Sequence, residues 1–71
     1  MNYSTGSIIS IKDERGRTYI GKVAIIYDDM SQWHESQPAT KGFILYIQTE
    51  GWGGTYDILG YDSQVTEVLW K

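Results

Sequence analysis

The sequence predicts an all-β fold: a single small domain, residues 1–71, formed by a strongly bent five-stranded antiparallel sheet or a small barrel. Short runs rich in β-branched and aromatic residues recur along the chain, and such residues favour strands. Residues that favour turns separate most of these runs after only a few positions. The chain has 71 residues, of which 41% are hydrophobic and 14% aromatic, which is enough for one core. Bending or closing the sheet would protect its edges.

The first predicted strand covers residues 7–12. It places Ile9 and Ile11 on one face and Ile8 on the other, because successive side chains of a strand point to opposite faces. Residues 13–16, Asp-Glu-Arg-Gly, have the composition of a turn. This strand and the next one are therefore expected to form a hairpin.

The second predicted strand covers residues 17–27, and its alternation is irregular. Ile20 is out of phase with Val23 and Ile25, which the pattern places together on one face. Gly21 lies between them, and a glycine within a strand often marks a β-bulge. The sequence therefore predicts a bulge at Gly21 that absorbs one residue and bends the strand.

A long break in the apolar pattern, residues 28–41, contains the only Pro, the only His and one of the three Trp residues. Loops of this length within a compact domain are frequently functional or mobile. A short helical turn over residues 29–34, capped by Asp28 or Asp29, is expected to end before Pro38. The segment is predicted to be mainly loop.

The central strand is predicted over residues 42–50, and the glycine-rich residues 51–54 are predicted to form the hairpin turn that follows it. Alternation gives this strand a core-facing set of apolar side chains, namely Phe43, Leu45 and Ile47. The opposite set consists of Ile44, Tyr46 and Gln48. An apolar outer face on a central strand predicts a second layer, a homodimer contact or a partner protein.

The last two predicted strands complete the sheet. Residues 55–60 form the return strand of the hairpin, with Tyr56 and Ile58 expected in the core. Residues 61–64 have turn composition, and residues 65–70 form the final strand.

In strand order, the chain resembles SH3-like and Sm-like small barrels. The residues that carry this likeness are G-R-T-Y-I-G-K-V at positions 16–23 and S-Q-V-T-E-V-L-W at positions 63–70. The resemblance implies a small SH3-like or Sm-like barrel over most of the chain. It implies no binding residue and no activity.

Composition limits the classes of partner. The net charge is −3 and the pI is about 4.8, and the six cations are spread along the chain, so nucleic-acid binding is not expected. The four cations that are close in sequence are Lys12, Arg15, Arg17 and Lys22. The acidic excess fits ordinary solubility better than imitation of nucleic-acid phosphates. Without cysteine, a signal-like segment or a membrane-length apolar run, a cytoplasmic protein that does not bind membranes is expected.

No catalytic, metal or cofactor site is expected from the sequence. His34 lies near Glu35 and Asp28, and imidazole with carboxylate suits metal binding or acid–base catalysis, but the spacing matches no established ligand pattern. No serine lies in a nucleophile-elbow motif. The glycine-rich turn at residues 51–54 lacks both the following helix and the nearby cation of a phosphate-binding loop.

The sequence therefore predicts a non-enzymatic module that binds a larger protein, as a small inhibitor or adaptor of the kind that phages and other mobile elements encode. The expected partner is a protein with a basic surface, and a homodimer is the other possibility. Aromatic and apolar residues in the loop, the turns and the outer face are the candidate partner-binding residues: Trp33, His34, Ile44, Tyr46, Trp52 and Tyr61. Trp52 alternatively folds back over the core. The alternative function is a small barrel that binds single-stranded nucleic acid or oligosaccharide through exposed aromatics.

Overall fold

The computed structural model describes residues 2–48 and 54–71, and it confirms the predicted fold class. The described chain forms one five-stranded antiparallel sheet with two short 3₁₀ turns, Met30–Gln32 and Asp62–Gln64. The strands are β1 (Ile8–Lys12), β2 (Thr18–Tyr27), β3 (Gly42–Gln48), β4 (Thr55–Tyr61) and β5 (Val65–Trp70).

The strand order across the sheet is β4-β3-β2-β1-β5. Strands β1 to β4 follow one another as a meander, and β5 returns beside β1. Strand β2 is ten residues long, and its first half pairs with β1 while its second half pairs with β3. Lys22 lies at the junction, opposite both Ile8 and Tyr46. Strand β2 is therefore the central strand and joins the two halves of the sheet, whereas β3, which the sequence predicted to be central, lies between β2 and the edge strand β4.

The core lies on the inner face of this sheet, where the side chains of its buried cluster come from three strands. Its members are Ile9, Ile11, Val23, Phe43, Leu45 and Ile47. The core-facing residues predicted for β3 are confirmed, and Ile9 and Ile11 share one face of β1 as predicted. Their alternation was regular in the sequence, and a regular strand keeps its pleat along its whole length.

The prediction for β2 was wrong in two respects. The irregularity in its pairing with β3 lies between Val23 and Ile25 and not at Gly21. Val23 is buried, whereas 44% of Ile25 is exposed. The bulge at Ala24 sets two residues of β2 against one residue of β3. Val23 therefore faces the core with Leu45, whereas Ile25 lies on the outer face with Ile44. A Cβ at Gly21 would overlap the carbonyl oxygen of Tyr46, so this glycine permits close approach of the two backbones.

The predicted burial of Tyr56 was also wrong. Tyr56 lies on the same face of β4 as Ile58 and Gly60, yet 43% of it is exposed. Ile58 packs against the inner cluster and Gly60 is buried, whereas Tyr56 is one position from the beginning of an edge strand. Alternation therefore assigned the correct face, but the packed core ends before it reaches this side chain.

Candidate functional site

An apolar row crosses the outer face of three neighbouring strands. The register places Ile44 of β3 directly opposite Ile25 of β2 on one side and Leu59 of β4 on the other. Ile44 and Leu59 are half-buried, and Ile25 is the most exposed of the three. Side chains directly opposite one another on one face are close enough to touch, so these three form a continuous apolar strip.

Tyr46 lies in the adjacent row, between Lys22 and Asp57. Its side chain is 44% exposed. An aromatic ring beside an apolar strip, with an amine on one side and a carboxylate on the other, offers both desolvated contact area and a polar margin. We refer to the four residues Ile25, Ile44, Tyr46 and Leu59 as the outer patch.

The loop formed by residues 28–41 is fixed at one end of this outer face. The Met30 side chain is fully buried, and a Cβ at Gly42 would lie only 2.7 Å from its Sδ atom. Met30 N–H also donates a 2.8 Å hydrogen bond to the carbonyl oxygen of Thr40, which joins the two ends of the loop. The absence of a side chain at Gly42 therefore creates the space that Met30 fills.

The predicted helical turn within this loop is confirmed. Asp29 caps the 3₁₀ turn Met30–Gln32, because its Oδ1 atom accepts hydrogen bonds of 2.9 Å from Ser31 N and 2.6 Å from Ser31 Oγ. The Ser31 hydroxyl and amide hold the pKa of the Asp29 carboxyl below its ordinary value. This carboxylate therefore has a structural role in the loop.

Trp33 and His34 form an exposed aromatic pair after the 3₁₀ turn, with ring centroids 5.8 Å apart. Ser36 N–H donates a 3.1 Å hydrogen bond to His34 Nδ1, and Ser36 Oγ lies 2.6 Å from the same nitrogen. Since Nδ1 accepts the amide hydrogen bond, the neutral ring carries its proton on Nε2. The bonds to Ser36 orient the imidazole and so help to hold the pair at the loop surface.

Tyr61 connects this loop to the sheet. Its hydroxyl donates a hydrogen bond to Gln37 Oε1, and its backbone N–H donates a 3.0 Å bond to Gln64 Oε1. In the register, Tyr61 lies opposite Gly42, on the same side of β4 as Leu59. A cleft of about 630 Å³ opens between loop residues 38–41 and turn residues 61–63, and Glu14 also lines it.

Tyr3 contacts Asp62 and Lys41, two of the residues that line this cleft, and sequence reasoning did not identify it. Its hydroxyl donates a 2.7 Å hydrogen bond to Asp62 Oδ1, and its ring packs edge-on against Phe43 with centroids 5.5 Å apart. Lys41 Nζ lies 5.1 Å from the ring centroid. Burial, followed by the hydrogen bond to Asp62, raises the pKa of the Tyr3 hydroxyl. The one available signal was an aromatic residue in an otherwise polar lead-in.

The structure brings together some of the predicted site residues. Ile44, Tyr46 and Tyr61 share the outer face of β3 and β4, and the loop that bonds to Tyr61 carries Trp33 and His34. Trp52 lies outside the described residues. Sequence reasoning missed two members of the outer patch, Ile25 and Leu59. The bulge hid Ile25, and Leu59 needed the register with Ile44 to be recognised.

The described residues give little geometric support to a metal site or to a nucleic-acid site. Within residues 2–48 and 54–71, no three His, Asp or Glu side chains are grouped closely enough to hold a metal ion. Among the cations of the β1–β2 hairpin lies Asp13, whose Oδ1 atom accepts hydrogen bonds from the backbone N–H groups of Arg15, at 2.9 Å, and Arg17, at 2.8 Å. Asp13 therefore holds the turn of this hairpin, and it adds a negative charge to the segment in which the four cations are close in sequence.

Comparisons with protein-family profiles, with curated proteins and with solved structures found no match. The described part of the chain contains no helix that is both long and apolar enough to span a bilayer. The arguments for a function therefore come from the outer patch and the loop beside it.

Proposed function

We propose that this protein is a non-enzymatic binding module that docks on a larger protein through its outer patch. The observation that carries the proposal is the row of Ile25, Ile44 and Leu59 beside Tyr46, on strands that include the centre of the sheet. Soluble domains rarely leave contiguous apolar area on the outer face of a sheet unless another surface covers it. Trp33 and His34 extend the contact surface along the loop.

The patch has the composition of an interface centre. A few large side chains supply most of the affinity of a protein interface, and tyrosine is enriched among them. Tyr46 has the largest side chain of the four patch residues, and it lies between the amine of Lys22 and the carboxylate of Asp57. The charged neighbours form the rim, and the apolar row forms the part that loses water on binding.

The charge of the chain favours a partner with a basic surface. At a net charge of −3, the protein attracts cationic surfaces over distances of about 8–10 Å in physiological salt. Such attraction raises the rate of association more than it raises the affinity. A small acidic domain with one apolar face suits the role of an inhibitor or adaptor that occupies a basic site on a larger assembly.

The proposal is tested by capture from host lysate, followed by reconstitution with the purified captured protein. The variant Tyr46→Ala removes the aromatic ring of the patch, and Leu69→Ala is the control, an exposed apolar residue on the remote edge strand. We expect Tyr46→Ala to weaken binding by about 30-fold, as loss of a central anchor does, and Leu69→Ala to leave it unchanged. Equal binding by both variants and the wild type, or no captured protein, would refute the proposal.

The alternative of a nucleic-acid barrel predicts a different result. Single-stranded nucleic acid would bind with an affinity that falls steeply between low and physiological salt. We expect no such binding, because the net charge is −3 and Asp13 lies in the hairpin that carries the four cations close in sequence. Fluorescence anisotropy with a labelled single-stranded oligonucleotide at two salt concentrations separates the two functions.

A further inference from the structure

The row of side chains through Tyr46 is complementary to its own reverse. Lys22 lies opposite Tyr46 on one side and Asp57 lies opposite it on the other, and all three side chains are exposed on the outer face. The row therefore begins with an amine, ends with a carboxylate and has an aromatic ring at its centre. Turned end for end, it presents a carboxylate to the amine, an amine to the carboxylate and a ring to the ring.

The apolar row beside it has the same property. Ile44 lies between Ile25 and Leu59, whose aliphatic side chains are isomers of each other. In both rows the central residue belongs to β3, and the other two belong to β2 and β4. Reversal exchanges β2 with β4, and it therefore matches Ile25 with Leu59. A single rotation satisfies both rows.

We propose that a second copy of this chain covers the outer patch, face to face, about a two-fold axis that runs along β3. The axis places β2 of each copy over β4 of the other, and β3 over β3. Sheets that pack face to face lie about 10 Å apart with their strands within about 30° of each other, which suits this arrangement. Two-fold dimers are the commonest homo-oligomers, and a chain of 71 residues gains burial that it cannot supply alone.

The charges of the patch select this axis. A two-fold axis that crossed the strands along the row of Tyr46 would place Lys22 over Lys22 of the second copy and Asp57 over Asp57, which is unfavourable. The axis along β3 places Lys22 of each copy over Asp57 of the other, twice in the dimer. Exposed ion pairs add little affinity, so these contacts fix the orientation while the apolar row and the tyrosine ring provide most of the binding free energy.

The same local charges allow two acidic copies to associate. Each copy has a net charge of −3, but the charges of Lys22 and Asp57 within the contact sum to zero. Exposed charges outside the contact are largely screened beyond about 8 Å in physiological salt. A second copy therefore meets opposite charges at short range and only weak repulsion at long range.

The inference rests on the proposed function in one respect, because both use the outer patch. The larger protein and the second copy occupy the same surface and exclude each other, so the dimer is the resting form from which the larger protein takes one copy. Self-association needs no other protein. Its measurement therefore succeeds or fails independently of whether a host lysate yields a partner.

The first test is the mass of the purified protein, measured by sedimentation equilibrium from micromolar to millimolar concentration. We expect the mass to rise from 8.1 kDa towards twice that value. Tyr46→Ala removes the ring at the axis and should weaken the dimer by about tenfold or more. Leu69→Ala is the control, because Leu69 is exposed on β5, outside the three strands of the contact. A wild type that remains monomeric would overturn the proposal.

The second test reverses the charges. Asp57→Lys places two amines over each other at both ends of the contact and should weaken the dimer by about tenfold or more. Glu67→Lys is the control, because it makes the same charge change at an exposed residue of β5. Adding Lys22→Asp to Asp57→Lys reverses both members of the pair and should restore association, with circular dichroism to verify folding. If the double variant associates as weakly as Asp57→Lys, or if Asp57→Lys associates as the wild type does, the axis is wrong.

The third test identifies the residues in contact. A carbodiimide joins an amine and a carboxylate that touch, by forming an amide bond between them with loss of water. A mixture of isotopically labelled and unlabelled protein distinguishes links between copies from links within one copy, and mass spectrometry of the digested dimer identifies the linked residues. We expect the link between copies to join Lys22 to Asp57. Links between copies that join other residues and leave this pair unlinked would contradict the arrangement.

Discussion

The hydroxyl of Tyr3 donates a 2.7 Å hydrogen bond to the carboxylate of Asp62, and it thereby joins residues 59 positions apart in the sequence. The ring of Tyr3 also packs edge-on against Phe43 in the core. The amino-terminal segment is therefore connected both to the turn before β5 and to the inner cluster. This contact stabilises the end of the sheet where the loop and the cleft lie.

The first prediction concerns this bond at high pH. Removing the hydroxyl in Tyr3→Phe should lower the free energy of unfolding by about 1 kcal/mol near neutral pH. The pKa of Tyr3 is raised in the folded state, so the contribution is present below the unfolded pKa, about 10, and declines as the pH rises above it. The difference between wild type and Tyr3→Phe should therefore shrink above pH of about 10. Urea unfolding as a function of pH, followed by circular dichroism, measures it, and a constant difference would contradict the assignment.

The second prediction concerns the cap of the loop. Asp29→Ala should lower the urea midpoint at neutral pH, because the Ser31 amide and hydroxyl lose their acceptor. The pKa of Asp29 is lowered in the folded state, so its contribution is present above the unfolded pKa and is lost as the pH falls through the folded value. The gap between wild type and Asp29→Ala should close in acid. Asp29→Asn keeps the acceptor and should show a smaller loss at neutral pH.

The third prediction separates two neighbours in the loop. Met30→Ala empties a fully buried site beside Gly42 and should cost about 2–5 kcal/mol of stability. Trp33→Ala removes an exposed ring and should change stability by no more than about 0.5 kcal/mol, while it lowers affinity for the partner. Denaturant unfolding and a binding titration on the same two proteins provide the comparison. Similar effects of both changes on stability would show that the loop is not fixed through Met30.

The fourth prediction follows from the bulge in β2. Val23→Ala should cost about 1 kcal/mol of stability or more, because Val23 lies in the inner cluster. Ile25→Ala should change stability less and should weaken partner binding, because Ile25 lies in the outer patch. The comparison needs unfolding curves for both variants and their affinities for the captured partner. If Ile25→Ala bound as tightly as the wild type, Ile25 would have to be removed from the patch.

Some of the contacts behind these four predictions are local in sequence, and others form only when distant parts of the chain come together. The cap at Asp29 is a local feature, since the side chain bonds to a residue two positions away. The contact between Tyr3 and Asp62 depends on folding of nearly the whole chain. Whether Ile25 lies on the inner or the outer face depends on its pairing with β3, and no pattern within β2 shows this pairing.

By itself, the sequence determined the number and type of strands, the inner and outer faces of β3, the shared face of Ile9 and Ile11 in β1, and the capped turn in the loop. These features depend on alternation and on hydrogen bonds between near neighbours, which are local properties of the chain. Tertiary structure decided the bulge at Ala24, the exposure of Tyr56 and the assembly of Ile25, Ile44, Tyr46 and Leu59 into one patch. Each of these depends on which strand lies opposite and where the packed core ends, and that information belongs to pairs of strands that are distant in sequence.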